Sequence, residues 1–150
     1  MKKLSLYVAL VLVGLILFRA TDAFAQKKME KGSTLISSDD LKWVPMAGGP
    51  PGVMIAPLKG DMTMGAHEGL IKFPAGFVAP LHHHTYASKI IVIKGGYTYK
   101  GKVYGPGSYL FIPGGDKHVS GGVADSESIF YMEQSGKFDL IPEEAAKEKK

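Results

Sequence analysis

The sequence predicts an all-β domain, a small antiparallel barrel made of two facing sheets. Three observations predict it. Segments rich in Ile, Val, Tyr and Phe recur between residues 53 and 134. Turns rich in glycine and proline interrupt them every eight to twelve residues. No stretch between residues 40 and 140 keeps a helical period over eleven residues. Short, evenly spaced strands with such turns are the pattern of a sandwich or barrel.

Residues 1–25 stand apart from this pattern. Lys2 and Lys3 precede an apolar run of 15 residues from Leu4 to Phe18, and a more polar stretch ends in Ala23-Phe24-Ala25. A basic start, an apolar run and small residues at −3 and −1 of a cut before Gln26 make the layout of a secretory signal peptide. The run is shorter than the ~20 residues a helix needs to cross a bilayer. The alternative is an uncleaved N-terminal anchor; a lipid-anchored start is excluded, because the chain has no cysteine. Cleavage is expected, leaving a periplasmic or secreted protein with no stable membrane span.

The formal net charge is +4, and Lys2, Lys3 and Arg19 against Asp22 account for half of it. The remaining lysines are scattered or lie near the C-terminus, without the stripe of arginines and aromatics that tracks phosphates. Nucleic acid is therefore not an expected partner. The absence of cysteine means that the fold is not stapled by disulfides.

Taken in order, residues 26–38 are polar and read as a mobile leader. Residues 39–44 carry the single tryptophan, Trp43, expected on the outside or rim of the barrel. Gly48-Gly49-Pro50-Pro51-Gly52 can continue neither helix nor strand and reads as a loop. Strands are expected at 53–58, 67–73, 88–93, 97–100, 108–112 and 129–134. The breaks between them are Lys59-Gly60-Asp61, Pro74-Ala75-Gly76, Gly95-Gly96, Gly105-Pro106-Gly107 and Pro113-Gly114-Gly115. The barrel is expected to span residues 39–142, with 143–150 as a charged, solvated tail.

Four of the five histidines fall in one part of this pattern. His82-His83-His84 opens a strand-like segment, and His118 follows the turn at Pro113-Gly114-Gly115. Residues two apart in a strand share a face, so His82 and His84 can share a target while His83 points away. A hairpin returning His118 to that face would bring three imidazoles together, a ligand set for a borderline divalent metal. The competing reading of the run alone is a solvated loop that binds metal adventitiously.

The spacing around these histidines is more specific. Gly76 is followed by five residues, then His82-His83-His84, then Ser88, then six residues and Gly95. Gly107 is followed by five residues, Pro113-Gly114-Gly115, two residues, His118, three residues and Gly122. These stretches resemble, in order and spacing, the two motifs of the cupin superfamily, and the resemblance covers about residues 53–135. Asp40-Leu41-Lys42-Trp43, Lys72-Phe73-Pro74-Ala75-Gly76 and Gly107-Ser108-Tyr109 are similar to small single-domain bacterial cupins of unassigned function. The resemblance implies an RmlC-like jelly roll, also described as a double-stranded β-helix. It also implies a divalent metal on His82, His84 and His118, and a homodimer formed through an outer sheet face.

Two positions depart from the motifs. Ser88 stands where the motif has glutamate, and Gly122 where it has asparagine. Three histidines carry over and the carboxylate ligand does not. Such a ligand set neutralises none of the ion's charge and leaves positions for an anionic or chelating small molecule. Iron(II) is favoured, and manganese, nickel, copper and zinc suit the same ligands. Ser88 can hold a water from outside the ligand set.

The remaining candidates are less specific. His67 or Glu68 could point into the barrel as a fourth ligand or proton-transfer group, or both could be rim residues. Lys89 alternates to the face opposite Ser88. Tyr86, Tyr97 and Tyr99, with Tyr109 and Tyr131, either pack the sandwich or offer hydroxyls at a pocket mouth. Met62, Met64 and Met132 read as gap-filling residues. No cysteine nucleophile, Gly-x-Ser-x-Gly elbow or phosphate-cradling loop is present. Two functions of different class remain: a dioxygenase-like metalloenzyme acting on a small oxygenated or anionic substrate, and a non-catalytic module that binds or senses a metal or small ligand.

Overall fold

The computed structural model describes residues 32–144. The expected signal peptide, residues 26–31 of the expected leader and residues 145–150 lie outside the described residues. Among the described residues no helix is long and apolar enough to cross a membrane. The only helical element among them is a 3-10 turn at Ser38–Asp40.

Eleven strands follow among the described residues. They are β1 (Val44–Pro45), β2 (Met54–Gly60), β3 (His67–Phe73), β4 (Val78–His83), β5 (Ser88–Lys94), β6 (Tyr97–Tyr99), β7 (Lys102–Tyr104), β8 (Tyr109–Ile112), β9 (His118–Gly121), β10 (Ser128–Gln134) and β11 (Ile141–Pro142). They form a six-stranded sheet in the order β1-β2-β3-β10-β5-β8 and a five-stranded sheet in the order β11-β4-β9-β6-β7. Every pairing is antiparallel. This is the all-β jelly roll expected from the sequence.

Alternation explains the layering. On β3 and β10 every second residue is buried, which puts Ile71, Phe73, Phe130 and Met132 between the sheets. Ile90 and Val92 of β5 and Leu110 and Ile112 of β8 extend the same core. Burying large apolar side chains stabilises by about 1.5–3 kcal/mol each, an upper bound because the unfolded chain already hides some of that surface. Trp43 is half-buried on the outside, where the Lys72 ammonium lies 4.2 Å from its ring centroid.

The structure corrects several boundaries. The histidine run ends β4 instead of opening a strand, and His84 lies one residue beyond it. β9, β7 and the two-residue β1 and β11 carry too few alternating residues to stand out as strands by pattern. Glu143, expected in a solvated tail, is half-buried against His83 and Lys117. Met132 is in the core as expected, whereas Met64 is exposed.

Candidate metal centre

β4 and β9 are paired so that His82 lies directly across from His118. The register shifts between Ala79 and His82, where Pro80 interrupts the ladder. A bulge is where a proline is tolerated within a sheet, and it resets which side chains face inward. Ala79 and His82 are thus both buried although three positions apart. His82 is 2 % exposed and His118 1 %.

His84 arrives by another route. Beyond β4 the chain turns, and the Gly115 N–H donates to the His84 carbonyl at 2.8 Å. Gly115 has φ +78°, which a residue with a Cβ adopts only with strain, and a Cβ on Gly114 would run into the Thr85 carbonyl. The Pro-Gly-Gly turn before His118 therefore packs against the turn after His84, so the two histidine-bearing stretches meet through their glycines.

The three rings converge. Their centroids are 4.3 Å apart for His82 and His118, 5.0 Å for His82 and His84, and 5.7 Å for His84 and His118. One ligand atom from each histidine lies within 4.8 Å of the others. Each Nδ1 is engaged by a backbone carbonyl: His82 by Pro80 at 2.6 Å, His118 by Asp116 at 2.8 Å, and His84 by Asp139. Because a carbonyl can only accept, each Nδ1 carries a proton, which leaves Nε2 as the nitrogen that can offer a lone pair to a metal. His118 Nε2 is buried without any protein partner. Burial lowers the pKa of His84 below the usual histidine value and takes that of His118 to about 4, helped by the neighbouring histidines. Converging rings whose Nδ1–H groups are oriented by carbonyls, leaving Nε2 to bind, fit a divalent metal. No Asp or Glu joins this cluster among the described residues.

A narrow, mostly apolar pocket of about 50 Å³ adjoins His82 and His84, with room for a few waters or a small ligand. Ser88 and Ser120 are its buried hydroxyls, and Phe138 and Leu140 contribute from near the C-terminus. Ser88 thus sits where the motif places its carboxylate, facing the pocket without supplying a charge.

The other expected residues divide. Tyr97 is buried and lines the pocket; burial raises its pKa to about 12, and Ser120 hydrogen-bonds its phenol. Tyr99 does not line the pocket. Its ring packs 5.0 Å from that of His118 and its hydroxyl donates to the Asp116 carboxylate, so it supports the loop whose carbonyl orients His118. Tyr86 is 38 % exposed, packs over Gly136 and does not line the pocket.

His67 is buried but does not join the cluster of His82, His84 and His118; its Nδ1 lies 3.0 Å from the Gly65 carbonyl and 3.1 Å from that of Gly136. Glu68 alternates to the outer face and accepts a hydrogen bond from the Tyr131 hydroxyl at 3.1 Å. Lys89 is likewise outside, 2.9 Å from Glu133. Sequence reasoning missed Asp139 and Gln134. Gln134 is 1 % exposed, directly across from Ser88, and its Oε1 has no partner. Its place at an inward position of a regular strand was the available signal; Asp139 gave none.

The family profile of the ChrR cupin-like domain matches residues 31–139. The chain belongs to this cupin family. A DNA damage-repair/toleration protein, DRT102, of Arabidopsis thaliana is 33 % identical over 87 residues, which cover 51 % of the chain and 26 % of that protein. The cupin thus spans about a quarter of that relative's length. An RmlC-like cupin from Ralstonia eutropha JMP134 superposes with a TM-score of 0.59 at 26 % identity, covering 70 % of this chain and 69 % of that one. Two solved structures of lower identity share the fold. An acetylacetone dioxygenase from Acinetobacter johnsonii has a TM-score of 0.57 and 21 % identity, covering 73 % of this cupin and 77 % of that chain. Rhodobacter sphaeroides SigE in complex with the anti-sigma ChrR has a TM-score of 0.51 and 21 % identity, covering 66 % of this cupin and 51 % of that chain.

Proposed function

We propose that this cupin is an exported metalloprotein that holds one divalent ion, iron(II) in the first instance, on His82, His84 and His118. It would act on a small oxygenated or anionic molecule that completes the coordination. The observation that carries this reading is the shared arrangement of the rings: three carbonyls engage three Nδ1 atoms, and one ligand atom from each histidine lies within 4.8 Å of the others. A bound redox-active ion would supply dioxygen activation or Lewis-acid polarisation of an oxygen.

The chain's own residues do the rest. The carbonyls of Pro80, Asp116 and Asp139 orient the three rings. The apolar wall of Phe73, Phe77 and Ile90 restricts water, and Ser88, Ser120 and Tyr97 offer hydroxyls to a ligand's oxygens. No carboxylate offsets the ion's charge, so an anionic or chelating ligand is favoured over a neutral one. Export rests on the N-terminal apolar run. A homodimer is supported by Ile91, Ile93, Tyr109 and Phe111, which leave an apolar outer face on β5 and β8.

A non-catalytic sensing or binding module is the second reading. It is favoured by the absence of a carboxylate in the cluster and by the family relationship to ChrR, whose solved structure is a complex with a sigma factor.

Elemental analysis of protein purified without a polyhistidine tag tests the metal reading. About one equivalent per chain is expected, lost in His82→Ala and in His118→Ala. Wild-type protein that is metal-free and takes none up on reconstitution would overturn it. Oxygen uptake with small chelating diketones and hydroxy acids then separates the two readings. Turnover supports the enzyme, and saturable binding without turnover supports the module.

A further inference from the structure

The segment between β10 and the end of β11 does more than close the chain. It leaves the six-stranded sheet at Gln134 and reaches the edge of the five-stranded sheet, where Ile141 and Pro142 pair with His83 and His82. On the way it is tied down at successive points. The Ser135 N–H donates to the Ala87 carbonyl at 3.1 Å, and His67 Nδ1 lies 3.1 Å from the Gly136 carbonyl. The Phe138 N–H donates to the Met62 carbonyl at 2.7 Å. At the far end the Glu143 N–H donates to the Leu81 carbonyl at 3.0 Å, and its carboxylate lies 2.7 Å from the Lys117 ammonium and 2.8 Å from His83 Nδ1.

In the middle of this path Asp139 holds the His84 turn twice. Its carbonyl accepts from His84 Nδ1, and its Oδ1 accepts the Thr85 N–H at 2.9 Å. Phe138, beside it, packs its ring 5.5 Å from that of His84 and lines the pocket together with Leu140. His82 and His118 sit in paired strands. Of the three histidines only His84 depends on a segment 55 residues away for its ring orientation.

We propose that residues 135–143 form a strap that positions His84 for metal capture and covers the pocket, with Asp139 as the positioning residue. The inference rests on the metal reading above. It adds that the site's affinity is governed by a segment outside both histidine motifs. Contacts that orient a metal-bound histidine are worth about 10- to 100-fold in affinity. Asp139 reaches His84 partly through its side chain, by fixing the Thr85 amide, so that share is open to mutation.

The test is a cobalt(II) titration of the purified protein, read by visible absorption, for wild type, Asp139→Ala and Asp139→Asn. Backbone amide exchange at Thr85 is measured in the same three proteins without metal. Asp139→Ala loses the acceptor for Thr85, so cobalt affinity should fall about 10-fold and Thr85 exchange should quicken. Asp139→Asn keeps an oxygen at that position and should stay within about twofold of wild type in both measurements. Wild-type affinity and exchange in Asp139→Ala would overturn the strap, as would an Asn variant as weak as the Ala variant. The exchange measurement needs no metal. If wild type takes up no cobalt, the metal reading falls, while Thr85 protection lost in the Ala variant and kept in the Asn variant still upholds the strap's grip on the His84 turn.

Discussion

His82 and His118 are cross-strand neighbours on β4 and β9, almost fully buried, and their directions follow from the pleat and register of one sheet. His84 lies past the end of β4, is half-buried, and takes its direction from Asp139 and Gly115. One half of the site is thus set by a hydrogen-bonded ladder and the other by tertiary contacts from two distant turns. A ladder position moves only if the sheet moves, whereas a turn held by two or three hydrogen bonds can loosen alone at far lower cost.

The largest effect should come from the ladder side. His118→Ala should weaken cobalt binding by more than about 100-fold, exceeding the effect of any change that touches only ring-orienting contacts. A competition titration against a chromophoric chelator measures it. If a strap variant cost as much, the distinction between the two halves would break.

The next effect is on pH. His118 has a folded-state pKa of about 4, against the usual histidine value of 6.5, because it is buried beside two other histidines. The unfolded chain therefore binds the proton first as pH falls. Stability of the metal-free protein should be full above pH 6.5, decline as pH drops towards about 4, and level off below that. The loss is up to roughly 3 kcal/mol. Urea unfolding of wild type and His118→Gln across pH 4–7 checks it, and an equal slope in the two proteins would assign the dependence elsewhere.

Gly136→Ala probes the strap. A Cβ at this position would collide with the Tyr86 ring near its point of attachment, where the side chain cannot swing clear. A cost of about 1–3 kcal/mol is expected from the overpacking, with metal affinity lowered about 10-fold through His84. Thermal melts and cobalt titration measure the two effects. The smallest change should be on the outer face. Lys89→Ala breaks an exposed ion pair with Glu133 and should leave both the melting temperature and metal uptake close to wild type.

Much of the fold was legible because alternation and turn chemistry are local. β3 runs from His67 to Phe73 as expected from its pattern, and β5 and β10 start or end within a residue of the expected bounds. The same locality limited the site. Alternation placed His82 inward and His83 outward, but the bulge at Pro80 and the pairing of β4 with β9 lie beyond it. His67 and Glu68 show the limit well. Alternation says that they face opposite ways, and only the packing shows that the inward one stands apart from the three-histidine cluster, with its Nδ1 at the Gly65 and Gly136 carbonyls. Tyr86 and Tyr97 could not be told apart by composition, yet one packs over Gly136 and the other lines the pocket.

The sequence by itself determined the jelly-roll class, the two histidine motifs and the absence of the motif carboxylate at Ser88. Each of these is written in spacing and residue type along a single stretch of chain. The tertiary structure alone decided that three imidazoles converge, that Asp139 and Gly115 hold the third histidine, and that Phe138 and Leu140 line the pocket. Those depend on register between strands far apart in sequence and on a side chain beyond a strand's end, whose direction no pleat dictates.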